Sequence, residues 1–156
     1  MATPSSQWVI LNSIRLIVQD LREASRAAEA RFGLSGAQLF VLQTLAATSG
    51  MSVNELAART YTHQSSVSSV VKKLVGRGLV RARRSKSDAR RLEIALTAAG
   101  KRVMSRAPDA AQARIIAGLN GLPARERARL ARGIQRLVRE MGVEGRKAAM
   151  FLEDQS

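Results

Sequence analysis

The sequence has no cysteine, and only five of its 156 residues are aromatic: Trp8, Phe32, Phe40, Tyr61 and Phe151. Without a thiol there is no disulfide, thiolate metal cluster, cysteine nucleophile or thiol-based redox sensor. With so few rings there is no stacking platform of the kind that single-strand binders and RNA-binding sheets use to hold unpaired bases. Histidine is present once, as His63, so a metal site within one subunit would have to be built from carboxylates and solvent, and none is expected. Acidic residues are also few. Asp and Glu number 12 against 26 Lys and Arg, which leaves a formal charge of +14. A polyanion is therefore the leading partner, because neutralising phosphates releases condensed counterions. Acidic substrates and anionic membrane surfaces are weaker alternatives. The shortage of rings shifts the choice towards double-stranded nucleic acid.

Other absences narrow the class further. No apolar run approaches the ~18 residues of a membrane span, and residues 1–12 lack the basic start, apolar stretch and small-residue cleavage site of a secretory signal. A cytoplasmic protein with no membrane partner is the expectation. No nucleophile–base pair, phosphate-cradling glycine loop or metal-ligand cluster is visible, so neither an enzyme nor a cofactor is expected, and no cofactor-binding residues can be assigned. Gly33 and Gly36 flank a helix start but lack the preceding strand that a dinucleotide motif needs.

What is present is a chain that can build a core: 46% of its residues are hydrophobic, enough for one compact domain, with or without an oligomerising extension. Thr3 and Pro4 offer a cap and a first-turn proline, after which Ile10, Ile14, Ile17 and Leu21 recur at helical spacing as far as Gly33, predicting a long helix over about 5–31. Ser35-Gly-Ala-Gln38 and Ser52-Val-Asn-Glu55 have the capping-box form, in which the hydroxyl and the side chain three residues on satisfy free backbone N–H groups reciprocally. They predict helices over about 36–48 and 53–60. A fourth helix, from His63 to about Val75, places Val67, Val70, Val71 and Leu74 on one inward face. Gly76 and Gly78 unwind it.

The period then changes to two. Leu79 to Arg84 and Arg91 to Thr97 read as the strands of a hairpin, with residues 85–90 as its exposed loop. Thr97 caps a fifth helix over about 98–117, and Pro123 opens a sixth whose stripe is Leu130, Ile134, Leu137 and Met141. Met104, Met141 and Met150 read as helix packing or as pocket lining. The fold class is mainly α with a small β-hairpin (α+β). The apolar stripes of the terminal helices exceed what one small domain covers, which predicts a homodimer. The division is 1–34 as an N-terminal dimerisation helix, 35–97 as a central domain and 98–156 as C-terminal dimerisation helices.

The fourth helix turns Gln64, Ser65, Ser68, Ser69, Lys72 and Lys73 away from its valines. Short polar and cationic side chains let a helix approach DNA closely, where Gln can bond a base edge, Ser a base or phosphate, and Lys a phosphate or guanine. A merely solvated helix face is the alternative. The capped helix and short connection before it match a helix-turn-helix, and the hairpin after it carries Arg81, Arg83, Arg84, Lys86, Arg90 and Arg91.

At these residues the sequence resembles the MarR family of bacterial transcription regulators. The resemblance rests on Val53-Asn-Glu-Leu-Ala-Ala, Gln64-Ser-Ser-Val-Ser, Arg77-Gly-Leu-Val80, Ser87-Asp-Ala-Arg90 and Leu96-Thr-Ala-Ala-Gly100, in order and at that family's spacing. It is strong from Leu34 to Gly100 and covers the terminal helices by pattern and placement. It implies a winged helix-turn-helix with a helical dimerisation domain, in which the fourth helix enters the major groove and the wing tip the neighbouring minor groove. Gln64, Ser65, Ser66, Ser68 and Ser69 would then read or flank base edges, with Lys72 and Lys73 near the backbone and Thr62 and His63 also among the DNA-binding residues. Arg84, Lys86, Asp88, Arg90 and Arg91 would serve from the wing. Asp88 and Arg90 match the family's wing pair, the carboxylate orienting the arginine; a loop cap is the alternative role for Asp88. Tyr61 stands where the turn commonly has glycine, with packing between the helices as its expected role. His63 sits where a capping serine or aspartate is more usual, as a cap or phosphate neighbour. The implied function is that of a sequence-specific, dimeric repressor of a pseudo-palindromic operator, released by an anionic or phenolic small molecule. A sequence-tolerant architectural DNA-binding protein without ligand response is the alternative.

Overall fold

The computed structural model describes residues 4–85, 88 and 90–151. In chain order they form α1 (Ser6–Phe32), α2 (Gly36–Ala47), α3 (Val53–Thr60), α4 (Gln64–Gly76), β1 (Val80–Arg84), β2 (Leu92–Leu96), α5 (Ala98–Met104), α6 (Ala111–Gly121) and α7 (Ala124–Glu140). This is the expected mainly α architecture with one antiparallel hairpin, a winged helix-turn-helix.

Local chemistry sets the element starts. Both capping boxes form: the Ser35 hydroxyl accepts from the Gln38 N–H while Gln38 Oε1 accepts from the Ser35 N–H, and Ser52 and Glu55 repeat the exchange at α3. The cap of α1 is Ser5, whose hydroxyl accepts from the Trp8 N–H, and not Thr3, which lies outside the described residues. α2 is the central helix. Residues Gly36 to Leu42 are all buried on it, the mark of a helix surrounded by others. Around it Leu34, Leu56, Val67, Val70, Leu74 and Ile94 complete the core.

The hairpin is in register, Val80 opposite Leu96 and Arg84 opposite Leu92. A lone hairpin is marginal in water. This one is held at its inner edge by Met51, whose N–H donates to the Ile94 carbonyl at 3.2 Å and whose carbonyl accepts from the Ile94 N–H at 2.7 Å. Because Met51 directly precedes the cap of α3, the wing and the helix-turn-helix share one backbone anchor.

The single helix expected over 98–117 is two. α5 stops at Met104 and α6 begins at Ala111, because Pro108 has no N–H to donate and its ring would clash with the carbonyl four residues back. The start of α6 is fixed from a distance. Ala110, its cap position, has no capping side chain, and instead its N–H donates to Gln43 Oε1 at 2.8 Å while Gln43 Nε2 donates to Asp109 at 2.9 Å. On α1 only Leu21 and Ala28 are buried, and Trp8, Val9, Ile10, Leu11, Ile14, Leu16 and Ile17 face outward. α7 buries no residue; Leu130, Ile134, Leu137 and Met141 are all exposed. No described helix is long and apolar enough to cross a membrane.

Candidate nucleic-acid interface

α4 packs Val67, Val70, Val71 and Leu74 inward, as its spacing predicts. That orientation leaves Gln64, Ser65, Ser68 and Lys72 exposed, with Ser69 and Lys73 half-buried. Ser66 does not belong with them. It is buried beside Val67, so the expectation that it reads or flanks bases is corrected: its side chain points to the core side of the helix.

The turn into α4 departs from glycine without changing its geometry. Tyr61 adopts the left-handed conformation, φ 52°, and the Thr62 N–H behind it reaches back to the Ala57 carbonyl at 3.0 Å, closing α3 as a glycine would. The ring is 75% exposed, so Tyr61 does not pack between the helices as expected. Thr62 is half-buried and His63 exposed. His63 stands at the cap position of α4 but its side chain makes no capping bond, which removes one of its two expected roles.

On the wing, Arg84, Asp88, Arg90 and Arg91 are exposed, while Lys86 lies outside the described residues. Asp88 Oδ1 accepts from the Arg90 backbone N–H at 2.9 Å, and the Asp88 carbonyl accepts from the Arg91 N–H at 3.0 Å. The carboxylate thus orders the backbone that carries Arg90 and does not grip the guanidinium, so it acts here as a loop cap. Arg91 turns away from the tip. Its Nη2 donates to both oxygens of Glu55, at 2.9 and 2.7 Å, tying the base of the wing to the first turn of α3. Glu55 also accepts from the Ser52 N–H and hydroxyl, and these bonds, followed by the Arg91 charge, hold its carboxyl below the ordinary value of 4.5. Between these elements lies an open groove of about 620 Å³ that brings Gln64, Asp88, Arg90 and Arg91 to one place.

Sequence reasoning missed a second tie. Arg77, just after α4, donates through Nη1 to the Gly33 carbonyl and through Nη2 to the Phe32 carbonyl at 3.0 Å. A cation on the last carbonyls of a helix offsets the negative end of its dipole, so Arg77 fastens the helix-turn-helix to the end of α1. Its partners lie more than 40 residues away in sequence, and no local pattern announces them.

The family model of the MarR family matches residues 32–91, the span from the end of α1 to the base of β2. No protein of curated function matches the sequence. Among solved structures, the chain is similar to a MarR/EmrR family transcriptional regulator from Acinetobacter sp. ADP1, at 21% identity and TM-score 0.59 over 90% of this chain and 99% of that one. It is similar to a probable transcriptional regulator from Pseudomonas aeruginosa at 26% identity and TM-score 0.53, over 78% and 93%. A MepR variant from S. aureus bound to an oligodeoxyribonucleotide aligns at 17% identity and TM-score 0.51, over 88% and 99%. The family match coincides with the winged helix-turn-helix that the fold displays, so that over residues 32–91 the chain is similar to the MarR family of transcription regulators.

Proposed function

We propose that the protein is a homodimeric regulator that binds double-stranded DNA by sequence, a repressor of a pseudo-palindromic operator that an anionic or phenolic small molecule releases. The observation that carries the reading is the groove shared by Gln64 at the start of α4 and Arg90 on the wing. A helix presenting Gln64, Ser65 and Ser68 suits the major groove, where glutamine matches the donor and acceptor edge of adenine. A guanidinium at the wing tip suits a narrow, negative minor groove. Thr62, His63, Ser69, Lys72, Lys73 and Arg84 border these two elements as phosphate neighbours.

The dimer is supported by the bare apolar faces of α1 and α7, which water would otherwise cover at a cost proportional to their area. In this reading 1–34 and 98–156 form the dimerisation region and 35–97 the DNA-binding domain. Twofold symmetry then sets half-site centres about one helical turn, ~34 Å, apart.

Gel shifts of the DNA upstream of the protein's own gene, against unrelated duplex at several salt concentrations, test the reading. The expected specific affinity exceeds the non-specific by ~10³-fold or more and falls steeply with salt. A ratio near one selects the architectural alternative. Adding a panel of aromatic acids and phenols to the same shifts tests release.

A further inference from the structure

We infer that α7 carries a second duplex-binding surface, a stripe of arginines that grips the phosphate backbone of a further DNA segment without reading its sequence. This surface lies apart from the operator reading above and uses none of its contact residues. Arg125, Arg129, Arg132, Arg136 and Arg139 follow one another at intervals of four, three, four and three residues, and all five are exposed. At helical spacing they fall within an arc of about 80°, in a line about 21 Å long. Leu130, Ile134, Leu137 and Met141 take the opposite side of the helix. In the proposed dimer that apolar side meets the second copy, which leaves the arginines facing out.

Helix stability does not account for the stripe. Arg125 stands in the first turn, against the positive end of the helix dipole, and Arg125 with Arg129 and Arg132 with Arg136 are like charges one turn apart. Each of these arrangements weakens a helix. Neighbouring acids do not neutralise it either. The ion pairs of the stripe lie at its far end, where Arg136 Nε stands 4.0 Å from Glu140 and Arg139 Nε 3.4 Å from Glu144, both exposed pairs of the kind that hold weakly. Arg125, Arg129 and Arg132 make no ion pair among the described residues.

The chemistry of the stripe selects its partner. α7 has six arginines and no lysine, and a planar guanidinium holds two phosphate oxygens at once. It has no aromatic ring on which an unpaired base could stack, so a duplex suits it better than a single strand. Along about 21 Å of axis a duplex presents about six phosphates on each strand, an evenly charged line to meet an evenly charged line. The groove shared by Gln64 and Arg90 contains no residue of α7. A dimer therefore has one surface for its operator and another for a second duplex, and bridges the two.

The test is capture of a second duplex by the full chain. A biotinylated random-sequence duplex is immobilised and loaded with protein, and a fluorescent random-sequence duplex is then titrated on at several salt concentrations. Wild type is expected to capture it. Arg125→Gln, Arg129→Gln and Arg132→Gln combined should load on the first duplex but capture the second at least about tenfold more weakly at low salt, with a slope of log affinity against log salt shallower by about 2.7. That difference is about 40-fold in affinity between about 50 and 200 mM salt. The same three positions changed to lysine should keep the wild-type slope, because the phosphates are still neutralised. No capture by loaded wild type at the lower salt overturns the assignment without any variant having to fold. Capture that survives the glutamines overturns it by giving the bridging to the paired wings. Dissociation of the dimer in the glutamine variant, followed by sedimentation, overturns it in favour of ion pairs between the two copies. Stripe-dependent binding to phosphatidylglycerol vesicles with capture intact overturns it in favour of a membrane surface.

Discussion

Glu55 on the first turn of α3 and Arg91 at the base of the wing, 36 positions apart, are joined by two bonds of 2.9 and 2.7 Å through one nitrogen. The same carboxylate closes the capping box of α3, so a single side chain both starts the helix and carries the wing against it. In the proposed reading Arg91 is thereby a positioning residue, and Arg90, one place before it, is the arginine that would reach the minor groove.

That division predicts a double-mutant cycle. Glu55→Ala and Arg91→Ala should each weaken DNA binding, and the double variant should be little worse than either single one, because both remove the same tie. A salt titration sharpens it. Truncating a side chain that neutralises a phosphate lowers the slope of log affinity against log salt by about one, whereas Arg91→Ala is expected to keep the slope of the wild type.

Acid should loosen the same tie. Glu55 has its carboxyl held below 4.5, first by its bonds from Ser52 and then by Arg91. A lowered folded value means that its stabilisation is complete above the ordinary carboxylate range and is lost as pH falls through the lowered value. Thermal unfolding of wild type and Glu55→Gln should therefore differ most near neutrality, wild type being the more stable, and converge as pH falls through the lowered value of Glu55. A gap that widens towards low pH would contradict the assignment.

Gly100 packs α5 against the end of the α4–β1 connection. A Cβ there would stand 2.1 Å from the Leu79 carbonyl oxygen, which already accepts from the Thr97 N–H at 3.0 Å and hydroxyl at 3.1 Å. Backbone cannot yield as a flexible side chain does. Gly100→Ala should cost about 1–3 kcal/mol in chemical denaturation, despite alanine's better helix propensity.

Tyr61 carries the opposite expectation. Its left-handed conformation costs a non-glycine residue roughly 1–2 kcal/mol, and its exposed ring returns little packing. Glycine relieves that strain but loses about 0.5–1 kcal/mol of backbone entropy, so Tyr61→Gly should raise stability by up to about 1 kcal/mol. Tyr61→Val, a branched residue in the same conformation, should lower it. Reversal of that order in denaturant midpoints would remove the strain argument.

What the sequence makes legible is what local spacing encodes. The capping boxes at Ser35 and Ser52 place the starts of α2 and α3, and the valine period places the inner face of α4. The polar run hides the burial of Ser66, which follows two exposed residues; helical phase, not polarity, decides its side. The break between α5 and α6 is signalled by Pro108 but hidden by the apolar residues on either side of it. The ties that fix the site are not legible in this way. Gln43 to Ala110, Arg77 to Gly33 and Glu55 to Arg91 each join residues far apart in the chain, so only folding brings donor and acceptor together.

In the proposed complex α4 reads bases while the wing enters the groove beside it, and competition binding with Gln64→Ala separates that arrangement from a backbone contact. Operator duplexes carrying single base-pair changes, measured against wild type and variant, should show discrimination reduced by about 1–3 kcal/mol at particular positions in each half-site, with affinity for unrelated DNA unchanged. A uniform loss across every duplex, or no loss at any of them, would contradict the placement of α4 in the major groove.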